Sequence, residues 1–235
     1  MKKIQCEVCP IGDSCCVADV PRSDLDKFRA LGTSAIYKPR QIVFHEGSPA
    51  AGLYFLCHGA VKLYQSGRFG REHILAIDGP GDVLGELPID SGDTYSASAE
   101  ALVESQLCYL PREKLETLIK QYPLVGVRLL AALSESLISA RKKVRDMVLK
   151  PAEVRLAELL ARLAQSGTSR NDGTTHLVLP YSRRDIAEMI GVSTETAIRL
   201  LAKLKQKGVL AAHGREFIIA DMAKLHRVAN LSSYA

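Results

Sequence analysis

The sequence predicts an α+β chain: an antiparallel β-roll, then a long amphipathic helix, then a C-terminal winged helix-turn-helix. Three observations predict it. Between Ala35 and Leu110, short apolar or alternating runs are divided by Gly, Pro and Asp clusters. From Leu118 to about Leu149, apolar residues recur at steps of three and four. Between Ser182 and Gln206, two helical patterns with their own caps are joined by a tight turn.

The roll comes first. Runs at 41–44, 52–57, 60–64, 73–77, 95–101 and 105–110 have strand length and texture. Turn formers such as Gly47-Ser48-Pro49, His58-Gly59 and Asp78-Gly79-Pro80-Gly81-Asp82 separate them. Short, closely spaced strands with such punctuation predict an antiparallel roll or barrel.

In the next segment Leu130, Leu133, Leu137, Ala140, Val144 and Met147 form a seam of nearly three heptads. Arg128, Glu135, Arg141, Lys142 and Arg145 lie on the opposite face. A regular seam of this kind predicts pairing of two such helices in a homodimer.

Pro151 ends that pattern, and a new helix is expected over 152–165, with a short strand at 175–179. Ser182 then caps a helix, with Asp185 as its reciprocal partner. Ile186, Ala187 and Ile190 form its inner face, and Gly191 ends it. Ser193 caps a second helix that buries Leu200, Leu201 and Leu204. Runs at 209–212 and 216–219 around Gly214 predict a hairpin, the wing. Two helices joined so tightly point to double-stranded DNA as the partner. Thr194, Glu195, Ile198, Arg199 and Lys203 are the outward residues of the second helix. Arg can bond guanine, and Glu can accept from the cytosine amino group or hold the Arg. Ser182, Arg183 and Lys205 are expected at phosphates. Ser193, at the helix start, and Arg215, on the wing, complete the expected surface.

Composition agrees with this division. The chain has 235 residues, 47% hydrophobic and 24% charged, as ordinary globular proteins do. Its net charge is +5, and residues 151–235 carry 12 Lys and Arg against 8 Asp and Glu. The basic excess thus sits where a polyanion partner is expected. No apolar run approaches the ~18 residues of a membrane span, so no membrane partner is expected.

Four of the six cysteines lie in the first sixteen residues: Cys6, Cys9, Cys15 and Cys16. No apolar run precedes them, which argues against a secretion signal and for a reducing cytoplasm. Clustered thiols there point to metal or redox chemistry before structural disulfides. Cys57, beside Phe55 on an expected strand, reads as a core thiol.

In this order the chain resembles the CRP/FNR superfamily of bacterial transcription regulators over essentially its whole length. Gly59-Ala60-Val61-Lys62 is similar to the family's G-x-[VI]-[KR] strand. Gly79-Pro80-Gly81-Asp82-Val83-Leu84-Gly85 is similar to its G-x-G-D-x-x-G turn, and residues 185–196 to its helix-turn-helix signature. The resemblance implies a cyclic-nucleotide-binding-like roll at 21–117, a dimerisation helix at 118–150 and a DNA-binding domain at 151–235. It also implies a two-fold symmetric operator and RNA polymerase as a further partner. The cyclic-nucleotide branch places an Arg-Ser pair after the glycine-rich turn, where this chain has Tyr95-Ser96. That departure argues against a cyclic phosphate, which needs a cation when buried.

The oxygen-sensing FNR branch fits better. It holds a 4Fe–4S cluster on three cysteines spaced C-x2-C-x5-C and a distal fourth. Cys6, Cys9 and Cys15 have that spacing, and Cys108 stands at the distal place. The resemblance therefore implies these four as ligands, with Cys16 the alternative to Cys15, and residues 1–20 as the cluster-binding segment. Oxygen or nitric oxide would dismantle the cluster and weaken DNA binding. Two departures accompany the match. Ala140 stands where these relatives carry an acidic residue, and Ile198 replaces a polar residue beside Arg199.

The competing readings keep the regulator and change the sensor to haem, zinc on thiols or a small ligand. His45, His58 and His73 share no ligand spacing that would favour haem. A thiol redox enzyme using Cys6 and Cys9 is the reading from another class. Pro10-Ile11-Gly12-Asp13 does not supply the helix N-terminus such a motif needs, so no enzyme activity is expected.

Overall fold

The computed structural model describes residues 24, 31–67, 72–86, 94–165, 168–170, 174–179, 181–213 and 216–230. The expected ligands Cys6, Cys9, Cys15 and Cys16, and the wing residue Arg215, lie outside the described residues. The chain divides into two compact units, residues 1–139 and 140–235.

The first unit contains β1 (Thr33–Tyr37), β2 (Ile42–Phe44), β3 (Gly52–His58), β4 (Val61–Ser66), β5 (Glu72–Asp78), β6 (Val83–Leu84), β7 (Ser98–Ala101) and β8 (Ser105–Pro111). They form two antiparallel sheets, ordered β1-β8-β3-β6 and β2-β7-β4-β5. Six of these strands fall on the expected runs. β1 and β6 were not expected. Thr33-Ser34-Ala35-Ile36-Tyr37 carries weak apolar alternation and gains its order by pairing with β8, and β6 is too short to show a period.

The runs in β3 and β8 are continuously apolar because both faces of their sheet are covered. Leu56, Leu84 and Leu107 point inward against Phe44, Val61 and Ala99 of the other sheet. Leu53, Phe55, Cys57, Cys108 and Leu110 point the other way, onto α1 (Arg112–Gln121) and the first turns of α2 (Pro123–Leu149). Leu115, Leu118, Val125 and Leu129 are the helical side of that contact. Lys62 is buried between Glu72 and Glu100, at 3.1 and 3.3 Å, so its charge is compensated inside the roll.

The long helix does not begin at Leu118. That residue belongs to α1, and α2 starts at Pro123. Proline suits the first helical position and pushes the residue before it out of helical backbone. Tyr122 accordingly sits at φ −131, ψ 83. By length and composition alone α2 could cross a membrane, contrary to the expectation that no segment would. Its exposed apolar residues include those expected in the seam. Leu130, Leu133, Leu137 and Val144 are all exposed on the single chain, and so is Ala140. Met147 is half-buried and packs toward Gly191. Val148, 77% exposed, continues the stripe in its place. A straight helix drifts about 20° per heptad, which carries the last seam position one residue on.

The second unit contains α3 (Ala152–Ala164), β9 (Thr168–Ser169), β10 (Thr175–Val178), α4 (Arg183–Met189), α5 (Thr194–Gln206), β11 (Leu210–His213), β12 (Glu216–Ile219) and α6 (Met222–Asn230). Its sheet is ordered β11-β12-β10-β9. Leu156, Leu160, Ile186, Leu204, Phe217 and Leu225 are among its fully buried side chains. The last helix was not expected, although Asp221 caps it by accepting from the Lys224 N–H at 2.8 Å. The division into two compact units falls inside α2, whose C-terminal turns pack with residues 152–235.

One buried carboxyl makes the roll pH-sensitive. Burial, then the neighbouring Asp82, push Asp78 from 3.8 up to about 7. A raised carboxyl favours the fold while protonated, so its contribution is complete below about pH 4 and is lost as pH rises to 7. Denaturant titrations should therefore show stability falling between pH 5 and 7.5. Asp78→Asn should flatten that slope and add on the order of 1–3 kcal/mol at pH 7.5.

Candidate DNA-reading surface and thiol site

The helix-turn-helix is built from local signals. The Ser182 hydroxyl accepts from the Asp185 N–H at 3.1 Å, and the Asp185 carboxylate accepts from the Ser182 N–H at 2.7 Å. This reciprocal cap satisfies two N–H groups that the first turn of α4 leaves unpaired. Gly191 takes φ +66, a left-handed backbone that a side chain would strain. Its missing Cβ also makes room for the Met147 methyl. Ser193 caps α5 by accepting from the Thr196 N–H at 3.2 Å.

The expected reading residues do not all share one role. Thr194, Glu195 and Arg199 are exposed on α5, and Ile198 is 51% exposed among them. The Arg199 guanidinium donates to the Thr196 hydroxyl at 3.3 Å. Lys203 instead turns to α3, where it and Lys207 hold the Glu153 carboxylate at 2.5 and 2.7 Å. These ammoniums keep the Glu153 carboxyl below its ordinary range. The Arg183 guanidinium lies 4.2 Å over the Phe217 ring, tying α4 to the wing strand β12. Lys205 is exposed.

A further residue braces this unit and was missed in the sequence. Arg155 of α3 donates to the Met147 and Lys150 carbonyls at 3.2 and 2.7 Å, and to the Ile190 carbonyl at 2.9 Å. One side chain thus satisfies the C-terminal carbonyls of both α2 and α4. Only its position one turn after Pro151 could have marked it.

In the first unit, Cys108 sits on the helix-facing side of the sheet, 7% exposed. Two described residues upstream of β1 reach the same region. Leu31 packs on that cluster, and the Tyr122 hydroxyl donates to the Asp24 carboxylate at 2.5 Å. Cys57, expected as core, has its Sγ 3.2 Å from that of Cys108. The signal was its alternation with Phe55, which places both on the Cys108 face. Among the described residues no group of three or more His, Cys, Asp or Glu side chains is arranged to hold a metal ion.

After the glycine-rich turn, the described side chains bond one another. Glu86 accepts from the Ser96 N–H at 3.0 Å and from the Ser96 hydroxyl. Tyr95 is turned inward, stacks 4.1 Å from the Phe44 ring and donates to the Gly52 carbonyl at 2.8 Å. Burial, then the Tyr109 phenol, push Tyr95 up to about 12, so it stays neutral.

Residues 35–122 match the cyclic nucleotide-binding domain family, and residues 154–228 match the Crp-like helix-turn-helix domain family. A CRP-like cAMP-activated global transcriptional regulator of Mycobacterium tuberculosis is 30% identical over 79% of this chain and 83% of its own. The chain belongs to the CRP/FNR family of transcription regulators. The fumarate and nitrate reduction regulatory protein of Vibrio cholerae is 27% identical over 97% of this chain and 92% of its own. The transcriptional activator protein Anr of Pseudomonas aeruginosa is 25% identical over 96% and 92%. Among solved structures, FixK2 of Bradyrhizobium japonicum superposes with a TM-score of 0.71 at 27% identity, covering 84% of this chain and 96% of that one.

As a CRP/FNR regulator the chain binds DNA through its Crp-like helix-turn-helix. Of the expected reading residues, Thr194, Glu195, Ile198 and Arg199 stand exposed together on the first turns of α5. Arg199→Ala should leave folding intact, since the side chain is exposed. It should weaken binding to an operator selected from random duplexes by about 1–3 kcal/mol, with relaxed preference at one base pair, measured by fluorescence anisotropy.

Proposed function

We propose that the chain is a homodimeric cytoplasmic regulator whose DNA binding responds to oxygen or nitric oxide through a 4Fe–4S cluster on Cys6, Cys9, Cys15 and Cys108. The observation that carries this reading is the position of Cys108. Its thiol lies on the sheet face that packs Leu115, Leu118, Val125 and Leu129, a cluster that Leu31 and Tyr122 also join, and Tyr122 bonds Asp24. A ligand there ties the N-terminal segment to the start of α2. The donor set is all thiolate, which suits iron–sulfur clusters. When bound, such a cluster supplies an oxygen-labile link between the segment and the roll. The names of two relatives, Anr and the fumarate and nitrate reduction regulator, accord with control by respiratory conditions.

A cyclic nucleotide is the reading that the Mycobacterium relative's name would favour. Tyr95 argues against it. A neutral, buried phenol stands where that branch places its phosphate-binding cation, and Glu86 and Ser96 are bonded to each other.

The homodimer reading rests on the exposed stripe of α2. Leu130, Leu133, Leu137, Val144 and Val148 leave apolar surface that a second copy would cover. A two-fold symmetric operator would match such a dimer, and RNA polymerase is the further partner that the family resemblance implies.

Protein purified without oxygen should contain iron and sulfide and show visible absorption that air bleaches. Cys108→Ser should lose that absorption and at least tenfold in operator affinity. Iron-free wild type that binds DNA equally in air and without it would overturn the sensor. Leu137→Glu should shift the chain from dimer to monomer in sedimentation velocity while its circular dichroism spectrum is kept.

A further inference from the structure

Cys57 and Cys108 lie on neighbouring antiparallel strands. Phe55 pairs with Cys108 and Leu56 with Leu107, and a bulge follows between Leu56 and His58. The bulge sets Cys57 off the regular ladder and brings its Sγ within 3.2 Å of the Cys108 Sγ. Strand register is fixed at both ends of β3. A Cβ on Gly52 would collide with the Leu110 carbonyl, and one on Gly59 with the Ser105 hydroxyl and the Glu104 carbonyl. The two thiols are therefore held together by the backbone. Both keep a small exposed edge, 5% and 7%, whereas Leu56 beside them has none.

We propose that Cys57 and Cys108 are a redox couple. In the cluster-free chain, hydrogen peroxide closes a disulfide between β3 and β8, and this disulfide withholds Cys108 from iron. The withholding rests on Cys108 being the distal cluster ligand, as read above; the couple itself does not. The chemistry balances as two thiols plus hydrogen peroxide giving a disulfide and two waters. One thiolate attacks a peroxide oxygen, the O–O bond breaks, and a sulfenic acid forms as the first water leaves. The second thiolate attacks that sulfur, the S–O bond breaks, and the second water leaves. The sulfurs lose two electrons and the peroxide gains them. A sulfur in a disulfide has no thiolate to offer a metal. A neighbouring thiol at contact distance also intercepts the sulfenic acid before it is oxidised further. The couple is thus a second redox input at the same ligand, reversed by a dithiol reductant.

The test uses the full chain with Cys6→Ser, Cys9→Ser, Cys15→Ser and Cys16→Ser combined, so that only the roll thiols remain. One equivalent of hydrogen peroxide is added, iodoacetamide blocks what is left, and intact mass and a non-reducing peptide map are recorded. The expected result is loss of both alkylatable thiols, a linked peptide pair containing Cys57 and Cys108, and recovery with dithiothreitol. Adding Cys57→Ala should abolish the linked pair. Two alkylated thiols after peroxide, or Cys108 as sulfinic acid with Cys57 still alkylated, would overturn the couple. Iron and sulfide content of reduced wild type is read separately. A disulfide without iron uptake would leave the couple standing and sink the cluster reading, and iron uptake without a disulfide would do the reverse.

Discussion

The helix-facing sheet of the roll depends on the pairing of β3 with β8, because its two faces are set by their register. β8 hydrogen-bonds β3 on one side and β1 on the other, and it runs directly into α1 at Arg112. Strand side chains alternate, so a slip of one residue would exchange the two faces of the sheet. Cys108 would then point between the sheets with Leu56 and Leu84, and Leu107 would meet the helices. Gly52 and Gly59 prevent the slip, since each occupies a place where a side chain would strike β8 or the turn before it. Two residues without side chains thereby decide which chemistry faces α1 and α2.

In the second unit the equivalent constraint is carbonyl satisfaction. A break between consecutive helices leaves carbonyl groups unpaired, and two such ends meet Arg155. Its planar guanidinium can serve three carbonyls where a lysine could not hold the same fork. Glu153, two residues earlier, collects Lys203 and Lys207 from α5. The first turn of α3 therefore fixes the last turn of α2, the end of α4 and the C-terminal half of α5. Lys203 thus meets Glu153 of α3, whereas Arg199 meets only Thr196 of its own helix among the hydrogen bonds described.

Much of this was legible in the sequence where one local signal sufficed. Ser182 with Asp185, Gly191, and Ser193 identified α4, the turn and α5 without any tertiary information. Continuous apolar runs identified β3 and β8. What was not legible depends on partners distant in sequence. β1 has little pattern of its own and is ordered by β8. Arg155 looks like any helix-surface arginine until the carbonyls of Met147 and Ile190 are brought to it. Cys57 reads as core from its own strand, and only the bulge and the register of β8 put it against Cys108. The start of α2 was misplaced because Leu118 and the seam share a spacing, and the proline between them decided the matter. The four N-terminal cysteines and Arg215 lie outside the described residues, so their roles remain those the resemblance implies.

The seam of α2 bears on how such a regulator would switch. Its exposed positions are apolar through Leu130, Leu133, Leu137, Val144 and Val148, and Ala140 in the middle is small and uncharged. An acidic residue at that place would set two carboxylates together in a dimer and make association sensitive to small changes. Alanine removes that penalty, and each large side chain covered adds roughly 1.5–3 kcal/mol. A dimer closed by this surface has no built-in repulsion for a ligand to offset. Control would then act elsewhere, on the face where Cys108 and the first turns of α2 meet. On that view the sensor changes how the start of the helix is held, and the two chains stay together while it does so.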